Sequence, residues 1–368
     1  MFEFNPGEIA EKKRRLRSLL DTKGLSAIYL KKSSNFAWAT AGGYSIVGLG
    51  MESGIAGLLF TKDREYLVCN NIEAPRLVDE EAIAKQGYEL AVFPWFEDRE
   101  AARVAELAGG SFGVDMVFPG GQDISSSLNP LRYSLTPWEV ERLAAQALDT
   151  ARIAEETALT IRPGDEERAV VGRLSERLWT VGMDFIVALC AADDRIGKYR
   201  HPVATDRKIE KRAMISVNSR RRGLIVSITR FVQFGKLPST LAKLYEDTVY
   251  VDSAMMAATM PGRPASDVYA AALKAYADKG YPEEYRLHHQ GGSIGYFGRD
   301  YKVTAATKEI IQENQAFTWN PSITGMKSED TILATAAGPR VLSTPVIFPE
   351  YVVRFGDQVF RRSSILEL

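Results

Sequence analysis

The chain has 368 residues, 45% hydrophobic and 25% charged, with a formal net charge of −1, which suits a globular protein large enough for two domains. Balanced charge gives no bulk attraction to nucleic acid or anionic lipid, and no stretch approaches the ~18 uninterrupted apolar residues of a membrane span. Cys69 and Cys190 lie far apart with no CxxC spacing, and MFEFNPGEIAEKKRRLRSLL lacks the apolar segment of a signal peptide, so a reducing cytoplasm is expected.

In chain order, GEIAEKKRRLRSLLDTKG carries apolar residues at helical spacing and ends at Gly24. LSAIYL, GIAGLLFT and EYLVCN are short apolar runs bounded by turn residues, as in strands of a covered sheet. GGQDISSSLNP, around residues 120–130, reads as a linker. A long helix is predicted over TPWEVERLAAQALDTARIAEETALT, with Thr136 as N-cap, Pro137 in the first turn and Glu139 closing a capping box.

An internal repeat follows. IRPGDEERAVVGRLSERLWTVGMD and TMPGRPASDVYAAALKAYADKGYP share a Pro-Gly, an amphipathic helix and a closing glycine. The interval from Pro163-Gly164 to Gly182 equals that from Pro261-Gly262 to Gly280. Strand-like runs come after each, AMISVN with GLIVSITRFVQFG, then QAFTWNPSI with DTILAT. A helix followed by strands, twice over, predicts a pseudo-symmetric α+β domain with a site between its halves.

The chain's three histidines are concentrated: two stand together in HHQGGSIGYFGRD, residues 288–300. The stretch admits a metal site, a catalytic strand or turn chemistry. A phosphate loop is disfavoured, because neither GK[ST] nor GxGxxG is present. If His288 and His289 lie on a strand, they point to opposite faces.

Taken together, these segments resemble the pita-bread family of creatinase, prolidase and aminopeptidase P over nearly the whole chain. Residues 1–130 resemble its creatinase-type N-terminal domain, of α/β type, and residues 131–368 its pita-bread C-terminal domain. The carriers are LRYSLTPWEVERLAAQALDTA, HPVATDRKIEKRAMISVNSRRRGLIVSITRFVQFG, HHQGGSIGYFGRD and QAFTWNPSITGMKSEDTILAT. The metallopeptidases of that family hold two divalent ions with Asp, Asp, His, Glu and Glu, because hard divalent ions take anionic oxygen plus neutral nitrogen. Here those positions read Asn218 (or Ser216), Ser227, Gly292, Asn320 and Glu329. One carboxylate of four, and no histidine in the set, predict no such metal centre and no cofactor.

Creatinase itself implies an alternative, a metal-free hydrolase that breaks a C–N bond with a histidine acid/base. The segment RHPVATDRKI places His201 in that role, with Glu329 as the retained carboxylate and His288 as a further candidate. Creatinase's two glutamates read here as Thr229 (or Ser227) and Asn320, so creatine is not the expected substrate. Asn218, Ser227, Gln290, Arg299, Trp319, Asn320, Ser322 and Lys327 fall at positions lining the family's site and suggest a small polar substrate or ligand. Competing readings are a non-catalytic binding or scaffold member and a residual Xaa-Pro dipeptidase. Arg220, Arg221 and Arg222 form a hairpin tip, either solvated or poised over a cavity to clamp an anion. The resemblance further implies a homodimer.

Overall fold

The computed structural model describes residues 3–368. The chain divides into two compact units, one reaching to Glu139 and including Arg222–Leu224, the other made of Val140–Arg221 and Ile225–Leu368.

The first unit is an α/β layer structure. Its helix Pro6–Lys23 is capped by Asn5, whose side chain accepts from the Gly7 amide at 2.8 Å, and it ends at Gly24, whose φ of 63° is left-handed. Glycine takes that conformation without a Cβ penalty, so the helix stops where the sequence says it should. The three predicted strands form as Ala27–Lys32, Ser53–Thr61 and Glu65–Asn70. They occupy the middle of a six-stranded sheet completed by Glu89–Phe93, Phe112–Val114 and Gln122–Asp123. Residues 120–130 are not the linker expected from composition: Gln122–Asp123 pairs in parallel with Phe112–Val114, and Ile124 and Leu128 are buried. Two apolar side chains with core to cover outweigh a Gly/Ser-rich composition.

The long helix forms as Pro137–Leu159. Its capping box closes both ways: the Thr136 amide donates to Glu139 Oε2 at 2.8 Å, and the Glu139 amide donates to Thr136 Oγ1 at 3.3 Å. The second unit then runs twice through one plan. Helix Glu167–Thr180 precedes the hairpin strands Arg212–Arg221 and Leu224–Gln233; helix Ser266–Asp278 precedes Gln315–Trp319 and Asp330–Ala334. The repeat extends to individual bonds. The Gly164 amide donates to the Ile209 carbonyl at 2.7 Å and the Gly262 amide to the Ile311 carbonyl at 2.8 Å. Both glycines have positive φ, 95° and 83°.

Each half has its own sheet. One is ordered Leu366–Glu367, Leu224–Gln233, Arg212–Arg221, Asp184–Ala192; the other Tyr301–Lys302, Gly291–Ile294, Gln315–Trp319, Asp330–Ala334, Arg340–Val341. Amide-to-carbonyl bonds from Ile225 to Gly295 (2.8 Å) and Thr229 to Glu329 (3.1 Å) join the outgoing hairpin strand to the second half. The candidate site residues Ser216, Ser227, Thr229 and Glu329 lie along that junction.

Candidate active site

The charge at the centre is carried by Glu329, just before strand Asp330–Ala334 and buried at 3% exposure. Its Oε2 accepts from Thr229 Oγ1 (2.7 Å) and Ser216 Oγ (3.1 Å) and meets Lys327 Nζ at 2.9 Å, while Oε1 faces Arg299 Nη2 at 3.6 Å. Burial alone would push this carboxyl up; Lys327 and Arg299, with the hydrogen bonds, outweigh it and hold the pKa at about 2. The carboxylate is therefore ionised and already committed to cations. Of the two positions considered for the first lost ligand, it is Ser216 whose hydroxyl touches Glu329.

Beside it, all three histidines converge. His201 Nε2 lies 3.2 Å from His288 Nε2, and the His288 and His289 rings stack with centroids 4.4 Å apart and planes at 28°. This corrects the expectation that the two neighbours face opposite ways. The strand begins only at Gly291, and His288 ends a short turn over Glu284–Leu287, so pleat alternation does not govern the pair. His288 falls to about 2, through burial and then Lys327; His289 falls to about 3, through burial and then Arg299. His201, exposed overall with its ring against the other two, is lowered as well, by partial burial and then by Lys327.

Several buried polar atoms here have no hydrogen-bonding partner within the protein: Ser227 Oγ, His288 Nδ1, His289 Nδ1, Arg299 Nε, Asn320 Oδ1 and Ser322 Oγ. Such orphans are few in folded proteins and need an explanation. Ser322, His288 and Lys327 line one small pocket with Arg200 and Tyr199. Asn218 is half-buried on the same strand as Ser216 and shares its face by the two-residue period.

Two expected site residues serve the frame instead. Trp319 is fully buried, stacks on Phe317 at 5.1 Å and donates its indole N–H to Thr259 Oγ1 at 2.9 Å, so it belongs to the core. Gln290 donates to the His288 carbonyl at 2.6 Å and accepts from Tyr276 Oη at 2.9 Å, which positions the histidine backbone. Each arginine of the run is paired with a carboxylate rather than free to clamp a ligand. Arg220 forks onto Asp184 at 2.8 and 3.0 Å, Arg221 pairs with Asp149 at 2.8 Å, and Arg222 with Glu81 at 2.8 Å. Their carboxylate partners lie 36 or more residues away in sequence, so no local pattern announces them.

Sequence reading missed the charge network behind the site. Arg230 bridges Glu155 and Asp330, each at 3.0 Å, and Arg362 joins Asp330 (2.9 Å) to Asp252, which also accepts from Ser328 Oγ at 2.6 Å. The partners are far apart in sequence, so no local pattern announces this network.

Residues 139–336 match the pattern described as metallopeptidase family M24. The chain belongs to that family. An Xaa-Pro dipeptidase from Bacillus anthracis superposes with a TM-score of 0.77 at 20% identity, covering 98% of this chain and 100% of that one. A prolidase from Thermococcus sibiricus gives 0.79 at 15%, with 100% of both chains covered. The N-terminal domain of FACT complex subunit SPT16 from Cicer arietinum gives 0.72 at 14%, covering 93% and 97%. These likenesses establish a two-domain pita-bread architecture. Among curated relatives, an uncharacterised peptidase of Staphylococcus aureus strain MW2 is 22% identical over 230 residues, 60% of this chain and about 65% of the relative's length.

A dinuclear centre of the kind family M24 implies does not fit the residues present. Glu329 is paired with Lys327, and serine or amide groups stand at the positions that the family resemblance assigns to the other carboxylates. Position 292 cannot regain a ligand either: a Cβ on Gly292 would lie 1.9 Å from the Tyr301 carbonyl oxygen.

Proposed function

We propose that this M24 member is a hydrolase of a C–N bond in a small polar substrate and works without the family's dinuclear metal centre. The observation carrying this reading is the set of unpaired buried polar atoms beside a net cationic cluster. Lys327 and Arg299 together exceed the charge of Glu329, and the neutral histidines add none. That balance favours a substrate bearing a carboxylate or similar anionic group, with Ser227, Asn320 and Ser322 supplying neutral hydrogen bonds.

His201 moves the proton. One of the His201–His288 pair donates through Nε2 to the other. When His201 is the donor, its Nδ1 lone pair accepts a proton from water as the oxygen adds to the substrate carbon. The same nitrogen returns the proton to the leaving nitrogen as the C–N bond breaks. Glu329 holds the cations in place and is a poor base at a pKa of about 2.

A thermal-shift screen against amino acids, dipeptides including Xaa-Pro, guanidino compounds and cyclic amides identifies the ligand class, and hits are assayed for amine release in chelator-treated protein. His201→Ala is expected to lower turnover about 10²–10⁴-fold with ligand affinity changed less than about tenfold. Retained turnover in His201→Ala removes the mechanism. Binding without turnover in the wild type leaves a binding protein, the reading that the same unpaired atoms support next best.

A further inference from the structure

The chain's entire histidine complement, three residues from two segments 87 positions apart, meets in one place. We infer that His201, His288 and His289 form a binding site for one borderline transition ion, of which Zn²⁺ is the type, separate from the dinuclear carboxylate centre that this chain has lost.

The geometry carries it. One ligand nitrogen from each ring lies within 4.8 Å of the other two. Nitrogens ~2.0–2.1 Å from a common tetrahedral ion lie roughly 3.3 Å apart, and the His201 and His288 Nε2 atoms are 3.2 Å apart. A donor set of three imidazoles selects zinc, cobalt, nickel or copper over magnesium or calcium, which require oxygen. His289 Nδ1 is buried with no protein partner, and the His201–His288 contact through Nε2 is the one hydrogen bond that an ion would replace. Three protein ligands leave the fourth position of a tetrahedral ion open.

Occupancy has a consequence for the same site, and this part alone rests on the proposed proton transfer. An ion held by Nε2 of His201 forces that ring into its Nδ1–H form, removing the lone pair that accepts the proton. Zn²⁺ is then an inhibitor, and zinc release restores turnover.

Metal-stripped full-length protein is titrated with Co²⁺ at neutral pH while the visible d–d bands are recorded, and Zn²⁺ uptake is measured by equilibrium dialysis with elemental analysis. The expected result is one ion per chain, displacement of Co²⁺ by Zn²⁺, and tetrahedral band intensities. His201→Asn, at an exposed position that folding tolerates, and His289→Asn should each weaken binding by more than the roughly 10–100-fold that loss of an outer-shell partner costs. Glu329→Gln should leave the stoichiometry at one. No uptake overturns the inference, as does uptake indifferent to His201→Asn and His289→Asn, or two ions lost together in Glu329→Gln. The two proposals fail separately. Turnover by stripped protein that takes up no zinc overturns only the metal site, whereas tight histidine-dependent binding to a protein inactive when stripped overturns only metal-independent hydrolysis.

Discussion

A single carboxylate decides the electrostatics of the site. Glu329 pairs with both Lys327 and Arg299, whose side chains are only 8% and 14% exposed. Removing one partner of a buried pair strands the other, at a cost of about 3–5 kcal/mol. Glu329→Gln is therefore expected to lose about that much in urea unfolding, and a loss below about 1 kcal/mol would show that water already screens the cluster. The histidines make a second residue-scale prediction. His288 is held near 2 and His289 near 3 in the folded chain against an ordinary 6.5. As pH falls below 6.5 the unfolded chain binds protons that the folded one refuses, so stability drops by roughly 1.4 kcal/mol per pH unit for each histidine. Asp252, raised by burial to about 6, acts oppositely and offsets one such slope between pH 6 and its ordinary 3.8. Melting temperature should fall from pH 6.5 downward, and His288→Gln should flatten the fall by one proton's worth. An unchanged slope would place the titration elsewhere.

Among the elements, strand Gly291–Ile294 sets how closely the second half can pack. A Cβ on Gly291 would meet the Thr318 carbonyl oxygen at 2.2 Å at a φ of 106°, and one on Gly292 would meet that of Tyr301 at 1.9 Å. Both obstacles are backbone, which does not swing aside as a side chain does. Gly292→Ala is expected to destabilise by about 1–3 kcal/mol or more, the cost of overpacking, read as a lowered melting temperature. Gly24→Ala, at a left-handed position in open space, should cost only ~1 kcal/mol. Equal effects would contradict the close-approach account.

For the whole molecule, the family resemblance implies two chains per particle. The first unit exposes Val47, Met51, Trp95, Phe96 and Val117, at 57–94%, apolar area that a second subunit would cover. Sedimentation at micromolar concentration is expected to report twice 40.8 kDa; a mass of one chain removes the dimer. No helix among the described residues is long and apolar enough to cross a membrane.

Much of the frame was legible because its causes are local. Capping at Thr136, the stop at Gly24 and the repeated Pro-Gly turns depend on a few adjacent residues, and the structure repeats them bond for bond. The absence of carboxylates at Ser227 and Asn320, and of a histidine at Gly292, where the family resemblance puts metal ligands, was likewise readable, since ligand chemistry depends on residue type. What the sequence alone could not decide was which side chains meet. Trp319 went to the core, Gln290 to the frame, and Arg220 to Asp184, because long-range packing chooses among partners that periodicity leaves equivalent. The convergence of His201 on His288 and His289 spans 87 residues. Only the tertiary fold, by closing one half of the pita-bread domain on the other, brings one nitrogen of each imidazole within 4.8 Å of the other two.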